Sequence, residues 1–180
     1  MDDIAKELAK LHVLTGADFS RQVERIAKMS VFYPLADETN IYIAGGEQHD
    51  DFENLLNAAR KAVSHGFRVF ILPNPKSVRT ADFIFERKGT YRVYDLKTVY
   101  GKASALNRLL ESIGQSNRIL LNITTDYSPS SMARNIKHYF ERNTDALEVL
   151  IFKGKKTISV SRELSRSVSF YKIFMKRYTK

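Results

Sequence analysis

Residues 80–122 read TADFIFERKGTYRVYDLKTVYGKASALNRLLESIGQSNRILLN, and their order decides the fold: two strands around a tight turn, a helix, then a third strand. Residues 80–87 and 91–98 alternate in side-chain direction, and Lys88-Gly89 supplies the turn between them. A loop centred on that pair sets Arg87 opposite Thr90, Glu86 opposite Tyr91 and Asp82 opposite Asp95. Like charges directly opposite in a sheet are destabilising, yet this register puts two carboxylates on one face. Lys97 points the same way, because strand side chains have period two. Phe83, Phe85, Tyr94 and Leu96 make the other face, the expected core. An Asp-Asp-Lys cluster on a sheet face binds a divalent metal, shares a proton or orders a basic catalyst. The structural alternative is solvated charge on an exposed face, with Lys97 relieving the repulsion.

Downstream, Gly101, Lys102 and Ser104 make a turn into a helix over residues 103–113, which is expected to bury Leu106, Leu109, Leu110 and Ile113. Asn107 and Arg108 lie on its surface near the N-terminus, where a phosphate sits well. Gly114 ends it, and Gln115, Asn117 and Arg118 stand at the mouth of a strand over 119–124. Asn122 is polar in an otherwise apolar strand, so it needs partners. Ser128-Pro129 starts a further helix, with Met132, Ala133, Ile136 and Phe140 as its buried stripe. Residues 147–152 and 157–161 form a second hairpin. The C-terminal SFYKIFMKRYTK is expected to dock through Phe170, Ile173 and Phe174, or to stack bases on aromatics interleaved with Lys and Arg.

Upstream, residues 3–11 and 18–29 have apolar side chains at helical spacing, with a break at Thr15-Gly16. Residues 30–38, with Pro34, read as a connector, and 40–44 as a short strand. The acids of GGEQHDD (45–51) suit the cap and first turn of a helix over 51–64; the Walker spacing and its lysine are missing, so this is no phosphate loop. His65-Gly66 ends that helix, and the nearly continuous apolar run 67–72 is expected to be a central strand. The expected class is α+β: a central mixed or mainly antiparallel sheet flanked by helices, with an N-terminal helical extension. The expected division is residues 1–48 for the extension and 49–180 for a nuclease-like domain.

With 180 residues and 43% hydrophobic content the chain can build a sizeable core. It has no cysteine, which excludes disulfides and thiolate metal sites. No apolar run approaches the length of a membrane span, and the acidic start is unlike a signal peptide. A soluble, cytoplasmic protein, or one delivered to a target-cell cytoplasm, is expected. The net charge of +9 is uneven: residues 1–66 hold 7 Lys or Arg against 11 Asp or Glu, and residues 67–180 hold 22 against 9. A basic body of this kind suits a polyanionic partner, most simply nucleic acid. No Ser-His-Asp order, nucleotide loop or zinc-spaced His pair competes. Carboxylates, lysine, amides and arginines suit phosphodiester cleavage, in which cations stabilise charge building on the phosphate oxygens.

The runs DFIFERKGTYRVYDLKT, GKAS and SIGQSNRILLN, with the closing EVLIFKGKKTISV, resemble the C-terminal toxin nuclease domains of CdiA-type contact-dependent growth-inhibition proteins. The likeness covers roughly residues 50–160. It implies a metal-independent ribonuclease acting on RNA, often tRNA, in a barnase/EndoU/colicin/RelE-like fold, with an immunity protein as partner and no cofactor. Lys97 would then stabilise the transition state, Thr98 and Ser104 would position the phosphate, and Gln115 or Asn122 would complete the site. Lys102, Asn107, Arg108 and Arg118 would bind the nucleic acid. Asp95 has no clear role in that pattern. Residues 51–124 also resemble the PD-(D/E)xK nuclease core, which implies Asp82 and Asp95 as ligands of Mg or Mn, Lys97 orienting the water and Gln115 as an auxiliary residue. A third reading is a non-catalytic nucleic-acid-binding domain of a mobile element, with Asp82, Asp95 and Lys97 as a structural ion cluster.

Overall fold

In the computed structural model, which describes residues 2–46, 49–101 and 105–180, Lys88 and Gly89 adopt left-handed φ values of 52° and 78°. That is the type I′ geometry whose twist matches paired strands. It joins β4 (Phe83–Arg87) to β5 (Thr90–Val99), and the register is Arg87↔Thr90, Glu86↔Tyr91 and Phe83↔Tyr94, as the turn predicts. The fold is α+β, with eight strands in one mixed sheet in the order β1 to β8. The other strands are β1 (Phe32–Pro34), β2 (Ile41–Ala44), β3 (Arg68–Ile71), β6 (Arg118–Ile123), β7 (Glu148–Lys153) and β8 (Lys156–Ser161). By contact density the chain divides into residues 1–94 and 95–180, within β5. The division at residue 48 remains a reading of the sequence.

In the first unit β1/β2, β3/β4 and β4/β5 run antiparallel, and β2/β3 are parallel. The crossover between β2 and β3 is α3 (Phe52–Ser64), which buries Leu55, Leu56, Ala58, Ala59 and Ala62. The helices α1 (Asp2–Lys10) and α2 (Gly16–Ala27) contribute Ile4, Leu8, Val23 and Ile26 to a core shared with Phe70, Leu72, Ile84 and Val93. Ile84 and Val93 lie opposite each other on the Asp82 side of the strands, and the face carrying Phe83, Phe85 and Tyr94 is buried as well. The alternative of an exposed face on the Asp82 side is therefore set aside. Amphipathic helices from the start of the chain cover it, and strand periodicity cannot foresee where they pack. The expected connector over 30–38 contains β1, a three-residue edge strand ending at Pro34. An edge position tolerates proline's missing N–H.

In the second unit β5/β6 and β6/β7 are parallel and β7/β8 antiparallel. The helices are α4 (Ala105–Glu111), α5 (Pro129–Arg142), α6 (Arg162–Arg166) and α7 (Phe170–Thr179). Ser128 caps α5 by accepting the Ser131 N–H. Alternate residues of the strands, Val99, Ile119, Leu121, Ile123, Val149, Ile151, Ile158 and Val160, form one core with Leu109, Met132, Ile136, Phe170, Phe174 and Tyr178. α4 is shorter than expected, and Ile113 is exposed beyond its end. α7 docks through Phe170, Phe174 and Tyr178, one helical turn apart, rather than through Ile173. Its aromatics are thus core, and only Tyr171 is left outside for stacking. Among the described residues no helix is long and apolar enough to cross a membrane.

Candidate active site

Asp95 and Lys97 stand two residues apart in β5, beside Ile119 and Leu121 of β6. The pleat turns both toward the face that α4 and α5 cover. The backbone that carries Gln115 is equally determined. α4 ends in a turn, Gly114 reverses the chain at φ 85°, and the Gln115 N–H donates to Ser112 O at 3.0 Å. Gln115 thereby reaches the strand. Lys97 Nζ donates to Gln115 Oε1 at 3.0 Å and lies 3.0 Å from Asp95 Oδ2. The first contact is an aligned hydrogen bond, whereas the second is an ion pair by distance without hydrogen-bond alignment. The side chains are 5% exposed for Asp95 and 17% for Lys97, so the alternative of solvated surface charge does not apply.

Behind this group stands Tyr139 of α5, fully buried, whose hydroxyl accepts from Asn143 Nδ2 at 3.2 Å. Burial pushes its phenol pKa up, hydrogen bonds with Ser112 and Asn143 oppose that, and the Asp95 charge adds to it. Neither Tyr139 nor Ser112 stands out in the sequence. The available signal for Tyr139 is its place on the apolar stripe of α5, three residues after Ile136. The chemistry on offer is an ammonium held between a carboxylate and an amide oxygen. Of its three N–H groups, one goes to Gln115, another faces Asp95, and a third remains for a reactant.

Thr98 and Asn122 are Cα partners across β5/β6 and both are buried, but the pleat turns them to the face opposite Lys97. Asp82 belongs to the first unit, half-buried just before β4, where its N–H donates to Tyr94 O at 3.1 Å. Asn107 is exposed on α4, and Arg108 pairs with Glu111 at 3.4 Å. Arg118, 24% exposed, donates to Glu148 Oε1 at 2.8 Å, and the Ser159 hydroxyl donates to the other oxygen of that carboxylate. Lys102 and Ser104 lie outside the described residues. Among the described residues, no group of three or more His, Cys, Asp or Glu side chains gathers as a metal cluster.

No family model and no curated protein matches this chain. A solved structure described as a CdiA-CT/CdiI toxin and immunity complex from Burkholderia pseudomallei contains a structural neighbour. The alignment covers 66% of this chain and 98% of the other, with a TM-score of 0.46 and 14% sequence identity.

Proposed function

We propose that this protein is a nuclease whose reaction centre is Asp95, Lys97 and Gln115. The observation that carries the reading is the convergence of one ammonium, one carboxylate and one amide within 3.0 Å contacts at a nearly closed position. A buried ion pair is weak evidence for stability, since well-packed apolar side chains often replace such pairs without loss. A charge cluster in an enclosed place, in a chain of net charge +9, favours phosphodiester chemistry.

Lys97 is assigned to the phosphate and to the attacking water, where its free N–H meets charge that grows in the transition state. Gln115 holds the lysine in that direction, and Asp95 keeps it close. Thr98, which the metal-free toxin-like scheme needs beside Lys97, points to the opposite face of β5. For that reason we favour the PD-(D/E)xK reading. Its donor set in this unit is hard oxygen: the Asp95 carboxylate and the Gln115 amide oxygen. Such donors suit Mg or Mn, which need only one or two carboxylates because they keep several waters. When bound, the ion would supply Lewis acidity and a lowered pKa of water. The sequence resemblance adds RNA, with tRNA foremost, as the substrate and an immunity protein as the partner.

The test is cleavage of total RNA, tRNA and plasmid DNA by purified protein, with and without EDTA, beside Lys97→Ala. The expected outcome is cleavage with magnesium or manganese, lost in EDTA, and reduced about 10²–10³-fold in Lys97→Ala. Cleavage that survives EDTA would reject the metal-assisted scheme. Cleavage by Lys97→Ala at the parent rate would reject the site itself.

A further inference from the structure

Outside the reaction centre, the second unit has a cavity of about 120 Å³ at the C-terminal half of α5 and α6. Its polar lining is Lys137, Glu141, Thr144, Arg162, Ser165 and Arg166. Three cations face one carboxylate. The space admits a phosphate group. Arg162 is fixed before any ligand arrives: Nε donates to Ala146 O at 2.8 Å, one terminal nitrogen to Phe140 O at 3.2 Å, and the other to Asn143 O. Those bonds close the end of α5 and use three of the five guanidinium N–H groups, leaving two. Lys137 and Arg166 have no ion pair among the described residues. The Ser165 hydroxyl is occupied, donating to Arg162 O at 2.7 Å.

We infer that this cavity is a phosphate subsite for the backbone of a nucleic-acid strand, separate from the scissile phosphate at Lys97. Its ligand class rests on the nuclease reading above. Two further features favour a strand over a free anion. Lys137 Nζ lies 5.6 Å from the ring centroid of Tyr171, which is 39% exposed. An exposed ring beside a cation offers a base somewhere to stack while its phosphate is held. The charge is also concentrated here: residues 129–180 hold 12 Lys or Arg against 4 Asp or Glu, which is nearly all of the chain's net +9. Tyr139 backs the reaction centre and Phe140 lines the cavity. One helix, about 10 Å across, therefore serves both.

The experiment measures binding of a short fluorescein-labelled single-stranded RNA by anisotropy over a range of salt concentrations, in the full chain carrying Lys97→Ala so that nothing is cut. Arg162 closes α5, so the variants are Arg166→Glu, Lys137→Gln and Tyr171→Ala, each checked by circular dichroism. Lys155→Glu at the β7–β8 turn is the charge control. Arg166→Glu should weaken binding about tenfold and lower the salt slope by about 0.7, one phosphate contact on a single strand. Tyr171→Ala should weaken it about tenfold with the slope unchanged. Lys155→Glu should change it less than about twofold. Equal weakening by Arg166→Glu and Lys155→Glu, an unchanged slope in Arg166→Glu, or no binding by the Lys97→Ala parent would overturn the subsite. If Arg166→Glu proves unfolded, the same criteria apply to Lys137→Gln. Binding with this pattern, but no cleavage by the unsubstituted protein with any metal, would sink the catalytic reading and leave the subsite standing.

Discussion

Two buried ion pairs stand on opposite faces of the second unit's strands, and they differ in the groups that surround them. Arg118 and Glu148 face each other across β6 and β7, and the Ser159 hydroxyl occupies the second oxygen of the carboxylate. Lys97 and Asp95 share one strand, and the lysine spends its aligned hydrogen bond on Gln115. The first pair ties three strands together with a carboxylate occupied on both oxygens. In the second, an ammonium stands between a carboxylate and an amide oxygen, the arrangement proposed above as the reaction centre. Burial alone does not separate them, since the two carboxylates have the same 5% side-chain exposure. Their surroundings do.

Replacing each pair by apolar side chains gives the sharpest contrast. Asp95→Leu with Lys97→Met should abolish cleavage while the protein still folds. Arg118→Met with Glu148→Leu should leave stability near the parent value or above it, as apolar replacements of buried pairs often do. Equal loss of activity in both double variants would break the comparison. Next in size is Glu148→Gln, which strands the Arg118 charge. Urea denaturation should show a loss of about 3 kcal/mol, with cleavage per folded molecule close to the parent value. A loss below about 1 kcal/mol would mean that the pair holds little.

The smallest effect expected belongs to a neutral buried group. Tyr178 donates from its hydroxyl to Tyr127 O at 3.2 Å, and its phenol is pushed up to about 12, first by burial and then by the Asp126 charge and Tyr127. Because the folded value exceeds the ordinary value of about 10, this contribution is fully present below pH ~10 and is lost as the pH rises through ~12. Tyr178→Phe should therefore flatten the alkaline fall in stability, at a constant cost of about 1 kcal/mol for the hydrogen bond. An alkaline limb unchanged in Tyr178→Phe would assign it to other groups.

Much of the fold is legible along the chain because it is decided locally. Lys88-Gly89 sets the β4–β5 register, Ser128-Pro129 starts α5, and Gly114 ends the helix before Gln115. The separation of Lys97 from Thr98 was legible too, since adjacent strand residues point to opposite faces. A motif resemblance that groups them passes over that rule. β1 was hidden because three residues at a sheet edge show no periodicity. Tyr139 and Glu148 were hidden because a tyrosine on an apolar stripe, or a glutamate opening a strand, has the same local pattern whatever it touches.

By itself the sequence determined the succession of helices and strands, the hairpin register, the basic second half and the short list holding Asp95, Lys97 and Gln115. These follow from turn geometry, periodicity and composition, which act over a few residues. Only the tertiary structure decided that α1 and α2 cover the Asp82 side of the first unit's strands, and that Arg118 pairs with Glu148. It also decided that the end of α4 delivers Gln115 to Lys97. Each depends on which distant segment packs against a given face, and burial free energy assigns that only when the whole core is assembled.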